Sequence, residues 1–210
     1  MEKLLCVFPE ICEGGASLPE DIELRAQLYE MHLKRPIMIN LEELLELSES
    51  YLSCFEKILH CKDPDTRLRI IKYELPWVCY SSTLWSQVFG TDVDEKVRNY
   101  NGIVAVEVVK EHESEYMVFT ISSFDFVLYA GESADRKSIL TLVRTNCPTP
   151  SLHQNYIRAL KDIYRQAGLS VRESDIGYST TVPICYGKGA YINYDSSLFK
   201  LDYDDTKTFE

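Results

Sequence analysis

The segment Ile39–Cys61, "INLEELLELSESYLSCFEKILHC", constrains the fold more than any other part of the chain. Asn40 precedes Glu43 at the spacing of a capping box, in which each side chain bonds the other residue's backbone amide. Ile39 and Leu44 occupy the positions of a hydrophobic staple across that cap. Leu41, Leu45, Ser48, Leu52, Phe55 and Leu59 then recur at alternating helical spacings, and Leu44, Tyr51 and Ile58 widen the stripe. A face this broad exceeds a two-stranded seam. It predicts one continuous helix docked on a core, with Leu52 and Phe55 as core positions and Glu42, Glu43, Glu46 and Glu49 turned to water.

Similar signals flank it. In "SLPEDIELRAQLYEMHLKRP", Ser17 can cap a helix whose apolar residues Ile22, Ala26, Tyr29 and Leu33 run up to Pro36. "KDPDTRLRIIKYELP" predicts another, with Asp63 as cap, Pro64 in the first turn and Pro76 as the stop. "SSTLWSQVFG" reads as a short capped turn ending at Gly90, with Trp85, Val88 and Phe89 available to plug a core. Helical pieces are therefore expected to dominate residues 1–100.

The period then changes. Residues 102–147 are rich in Val, Ile, Phe, Tyr and Thr, with polar breaks near Glu113 and at Ser133 to Arg136. They predict three or four consecutive antiparallel strands. A helix is expected from about Ser151 to Ala167, with Leu152, Tyr156, Leu160 and Ile163 on one side and Gly168 at its end. Strands return after it, including "LFKLDYD". In "TTVPICYGKGAYINYD", Val182, Ile184 and Tyr186 alternate before Gly-Lys-Gly, and Ala190, Ile192 and Tyr194 alternate after it. That pattern predicts a C-terminal hairpin turning at Gly187–Gly189. Pro183 has no amide hydrogen to donate, which directs its strand to a sheet edge. The whole reads as a single α+β domain over 1–210: a helical part over 1–100, and an antiparallel part with one further helix over 101–210.

Charge and cysteine usage narrow the functions. Thirty-three acids against 22 Lys and Arg leave a formal net charge of −11 without a clustered basic stretch, which argues against phosphate tracking along nucleic acid. The seven cysteines are odd in number and irregularly spaced, and the opening residues meet Pro9 before any long apolar run. Free thiols in a reducing cytoplasm are therefore expected. No apolar run approaches the ~20 residues that span a bilayer, so no membrane association is expected.

Signals for chemistry are sparse. Cys54, His60 and Cys61 lack the paired short spacing of a structural zinc site, and Cys54 and Cys61 read as small core residues. No nucleophile elbow, zinc-protease motif, phosphate-binding loop or dinucleotide fingerprint is present, so no cofactor is expected. The main enzymatic option is a thiol-dependent hydrolase or transferase using Cys147, near His153 and just ahead of a helix, or Cys12 in "CEGG". The leading expectation is a non-enzymatic protein-binding module whose partner is another protein, with neutralisation of a basic enzyme or toxin as one form of it. Toxin immunity proteins and phage or viral antagonists of host defence share this acidic, motif-poor character, which is a compositional analogy. Two candidate contact surfaces stand out. One is Tyr186, Lys188, Tyr191 and Tyr194 around the glycines. The other is Glu111, Glu113 and Glu115, with His112, read as a hairpin tip.

Overall fold

The computed structural model describes residues 5–8, 36–85 and 94–202. The helix expected between Ser17 and Pro36, and Cys12, lie outside the described residues. Strands β1 (Leu5–Phe8) and β2 (Ile37–Ile39) precede helices α1 (Leu41–Ser50), α2 (Leu52–His60) and α3 (Pro64–Tyr73). Short strands β3 (Trp77–Cys79) and β4 (Ser82–Leu84) follow, then β5 (Val97–Tyr100) and β6 (Ile103–Val109). Helix α4 (Ser114–Ser122), strands β7 (Val127–Glu132) and β8 (Ser138–Arg144), helix α5 (His153–Gln166) and strands β9 (Val182–Pro183) and β10 (Tyr186–Ile192) complete the order. The class is α+β.

Among the described residues two antiparallel four-stranded sheets, ordered β2-β1-β3-β9 and β10-β7-β8-β6, carry the architecture, and β4 pairs with β5. The second sheet is buried on both faces. Ile103 and Ala105 of β6, with Leu140 and Leu142 of β8, enter a core shared with α1–α3 and the first sheet. Their alternates Val104, Val106, Ile139 and Val143 pack instead with Met117 and Ile121 of α4 and Tyr156, Ile157, Leu160 and Tyr164 of α5. Burial on both sides is why β6 reads as an almost continuous apolar run. Each fully buried Val, Leu, Ile or Phe contributes about 1.5–3 kcal/mol.

Local chemistry sets several helix ends as expected. Asn40 accepts from the Glu43 amide and Glu43 bonds back to the Asn40 amide, both at 2.9 Å. Asp63 accepts from the Thr66 amide at 2.8 Å, with Pro64 in the first turn. Past α5, Gly168 has φ +80° and donates to the Arg165 carbonyl, while the Leu169 amide reaches the Tyr164 carbonyl. That is a Schellman closure, and glycine supplies its left-handed residue.

Several expectations are corrected. The Asn40–Cys61 helix is broken at Tyr51, whose φ −104° and ψ 14° end α1 and begin α2. The break re-aims the stripe: Phe55 and Ile58 stay buried, but Leu52 is 36% and Leu59 51% exposed. Ser81–Gly90 contains strand β4 over its first residues, and Trp85 is 59% exposed where a core plug was expected. Val88 and Phe89 lie outside the described residues. The expected meander is interrupted because "SEYMVFTIS" is helical, and β6 pairs with β8 and not with its neighbour in sequence. Met117 and Ile121 are one helical turn apart, and the open face of the second sheet rewards that period over the β propensity of Val, Phe, Thr and Ile.

The C-terminal hairpin is likewise absent. Val182–Pro183 joins the first sheet beside β3, while Tyr186–Ile192 joins the second beside β7. The two apolar runs serve different sheets, with the corner at Ile184 and Cys185. Pro183 does stand on an edge strand. Gly187–Gly189 lies within β10, where the register with β7 slips between Tyr186 and Tyr191. "LFKLDYD" contributes only an isolated bridge from Phe199 to Thr145 among the described residues.

Candidate functional site

One end of the second sheet collects charge around a single buried carboxylate. Glu132, the last residue of β7, is 4% exposed. Its Oε1 accepts from Lys110 Nζ and, at 2.8 Å, from Ser114 Oγ. Its Oε2 accepts from Arg136 Nε at 2.9 Å. Each partner comes from a different place: Lys110 follows β6, Ser114 opens α4, and Arg136 lies in the β7–β8 turn at φ +58°. Two cations and a hydroxyl thus replace the water that burial removes from this side chain.

Beside it, the Ser133, Asp135 and Ser138 side chains knit the same turn to β6. Ser138 Oγ donates to Glu107 Oε1 at 2.7 Å, and Ser133 Oγ to Asp135 Oδ1 at 2.7 Å. Arg172 donates to Asp135 Oδ2 at 2.6 Å. Burial by itself would raise the Asp135 carboxyl. The Arg172 hydrogen bond, with those from the Lys137 amide and Ser133, outweighs it and holds the group below its ordinary value.

Over this base lies a groove of about 430 Å³. The acidic segment enters it through Glu113 and Glu115, both exposed, together with Val118 of α4. The glycine-rich stretch enters through Tyr186, Lys188 and Gly189. Tyr186 is held from two sides: its ring meets Phe55 edge-on at 5.2 Å, and the Arg136 guanidinium lies 5.3 Å from its centroid. Two segments more than seventy residues apart in sequence thus line one cleft of mixed charge. Comparison with protein-family models, curated proteins and solved structures found no match to this chain.

The other named residues go elsewhere. Glu111 is exposed and accepts from Ser170 Oγ at 2.6 Å. Tyr191 packs against the core between the second sheet and α5. Tyr194 is 40% exposed, and burial together with the nearby Glu42 of α1 raises its phenol pKa. Glu111, Glu113 and Glu115 form the approach to a helix where a hairpin tip was expected: Glu113 is the residue before α4, and Glu115 lies in its first turn. Sequence reasoning missed Lys110, Ser114, Glu132 and Arg136. Only the Glu132–Arg136 spacing hinted at a pair, and it crosses a turn and not a helix.

The thiol option has its own geometry. Tyr100 Oη lies 2.9 Å from His153 Nδ1, and the same phenol is close enough to Cys147 to lower its thiol pKa. Cys147 Sγ also donates to the Thr149 carbonyl at 3.2 Å. Burial pushes the Cys147 thiol above its ordinary pKa against those contacts, whereas a nucleophilic thiol needs the opposite. Cys185 is pushed up to about 12 and Cys6 to about 11, in each case mainly by burial. Cys54 and Cys61 are half-buried. Among the described residues no three His, Cys, Asp or Glu side chains gather as metal ligands, and no helix is long and apolar enough to cross a membrane.

Valine at either glycine of β10 tests the local geometry. Gly189 has φ +78° with open space around it, so valine there is expected to cost about 1–2 kcal/mol of conformational strain. Gly187 is tight for a different reason. An added Cβ would meet Ser48 Oγ at 3.0 Å, and that hydroxyl receives the Gly187 amide at 2.8 Å and donates to the Cys185 carbonyl at 2.7 Å. Gly187→Val is therefore expected to exceed Gly189→Val in cost, while exposed Lys188→Ala stays within about 0.5 kcal/mol. Denaturation midpoints of the three variants check this order.

Proposed function

We propose that this chain is a non-enzymatic, cytosolic protein-binding module whose partner is a basic protein, in the manner of a neutraliser of a basic enzyme or toxin. The observation that carries the reading is the meeting of Glu113 and Glu115 with Tyr186 and Lys188 in one groove. Glu113 and Glu115 can receive Lys or Arg side chains, Tyr186 offers a ring braced from behind, and Lys188 can select a carboxylate that fixes orientation. A net charge of −11 steers a basic partner toward such a surface and speeds encounter at low salt. The free thiols at Cys6, Cys54, Cys61, Cys79, Cys147 and Cys185 are consistent with a reducing compartment.

Affinity capture from lysate of the source cells, with the full chain and with Lys188→Ala and Glu113→Gln/Glu115→Gln, tests the reading. A specific partner is expected, held about tenfold more weakly by each variant, which corresponds to about 1.4 kcal/mol. Capture of no specific partner, together with turnover of a small metabolite by the purified chain, would overturn it.

The hydrogen bond between Tyr100 and His153, with Cys147 beside that phenol, favours one second reading, a thiol-dependent hydrolase or transferase. Its test is differential alkylation of the native protein near neutral pH. Cys54 and Cys61 are expected to label well ahead of buried Cys6, Cys79, Cys147 and Cys185. A Cys147 or Cys12 that labels first would restore the enzymatic alternative.

A further inference from the structure

Helix α4 buries one face and leaves the other uncovered. Met117 is 2% exposed and Ile121 is fully buried, whereas Tyr116 is 59% and Phe119 75% exposed. Tyr116 and Phe119 stand three residues apart, so their rings lie on one side of the helix. His112 meets the Tyr116 ring edge-on at 5.5 Å and extends this aromatic surface toward the loop. Exposed Glu111, Glu113 and Glu115 lie at its N-terminal end, and α4 itself carries no Lys or Arg. Lys110, the nearest cation in sequence, is engaged by Glu132 on the groove side.

We infer that this face of α4 docks a cationic amphipathic segment of a partner protein, in which Lys or Arg residues alternate with aliphatic ones. The inference rests on the reading of the chain as a protein-binding module and names the chemistry of its partner. Tyr116 and Phe119 supply a compact apolar platform, and the three carboxylates supply charge complementarity at its rim. Glu113 and Glu115 belong to both the groove and this face, so one ligand can engage the two together. A second copy of the chain fits poorly. A copy carries the same net charge of −11, and its own α4 offers no cation to meet the glutamates. An anionic lipid surface meets the same repulsion.

The test uses the ¹⁵N-labelled full chain titrated with two synthetic 14-residue amphipathic peptides, one of Leu and Lys and one of Leu and Glu. The Leu/Lys peptide is expected to shift amide signals of residues 111–122, and the Leu/Glu peptide is expected not to bind. Tyr116→Ala/Phe119→Ala is expected to weaken binding at least tenfold with the melting temperature unchanged, because both rings are exposed. Glu111→Gln/Glu113→Gln/Glu115→Gln is expected to weaken binding and to flatten its salt dependence. Equal binding of both peptides, shifts that map away from α4, or unchanged affinity in the aromatic variant would each overturn the inference. So would a dimer in sedimentation that Phe119→Ala disperses, since the occupant would then be a second copy. A captured partner that needs Lys188 but ignores Tyr116 and Phe119 would leave the groove reading standing and remove this one. Failure to capture any partner would count against the groove reading, while the peptide shifts continue to report on α4 alone.

Discussion

Gly131→Ala is expected to destabilise the protein by more than about 3 kcal/mol, enough to shift the denaturation midpoint sharply or abolish folding. Gly131 lies inside β7, and its φ is not in the left-handed region. The constraint is space. A Cβ at this position would fall 2.1 Å from Tyr129 Oη, 2.6 Å from Cζ and 2.9 Å from Cε1. The Tyr129 ring therefore lies across the site where every other residue would place its first side-chain atom. That ring cannot swing aside. Tyr129 is 1% exposed and packs in the core shared with Leu140, Leu142 and Cys185, and burial drives its phenol well above the usual pKa.

A double-mutant cycle isolates this cause. Tyr129→Phe removes the nearest atom but leaves ring carbons within 2.6 Å and 2.9 Å of the new methyl, so it is expected to rescue Gly131→Ala only slightly. Tyr129→Ala alone is expected to cost about 3–5 kcal/mol, but in combination with Gly131→Ala to cost much less than the sum. Additive behaviour in urea denaturation would show that the ring does not occupy the space above Gly131.

Phe55→Ala is expected to cost about 3–5 kcal/mol, whereas Leu52→Ala costs under about 1 kcal/mol. Both residues stand on the apolar stripe from which equal core roles are expected. The structure separates them: Phe55 is 2% and Leu52 36% exposed. Phe55 also supports the groove, since its ring meets Tyr186 edge-on at 5.2 Å. Its truncation should therefore loosen Tyr186 along with the core, and weaken any ligand of the groove in those molecules that still fold. Similar midpoints for the two variants would mean that the break at Tyr51 does not re-aim α2.

Tyr51 shows why a strong periodicity can be right about a helix and wrong about its face. The stripe from Leu41 to Leu59 is continuous in sequence, but α1 and α2 are two helices with one residue between them. Ser48 lies at the end of the first stripe, and its hydroxyl is committed to the backbone of Cys185 and Gly187. That contact comes from about 140 residues away and leaves no trace in local composition. Likewise, "SEYMVFTIS" and "TTVPICYGKGAYINYD" have the residues of paired strands, but both fold otherwise because partner choice is a tertiary matter. The former covers a sheet face as a helix, and the latter divides between two sheets.

The sequence by itself determined the α+β class, the caps at Asn40 and Asp63, the glycine closure of α5 and the edge position of Pro183. These depend on hydrogen bonds and steric limits that reach only a few residues along the chain. The expectation of contact surfaces named Glu113, Glu115, Tyr186 and Lys188, but in two unrelated groups. Tertiary structure alone decided that they share one groove, that Glu132 anchors its floor, and that Tyr191 faces the core. The physical reason is that a buried carboxylate with its cations, a slipped strand register and a ring lying over a glycine are set by partners distant in sequence. No local pattern encodes which distant partner will be met.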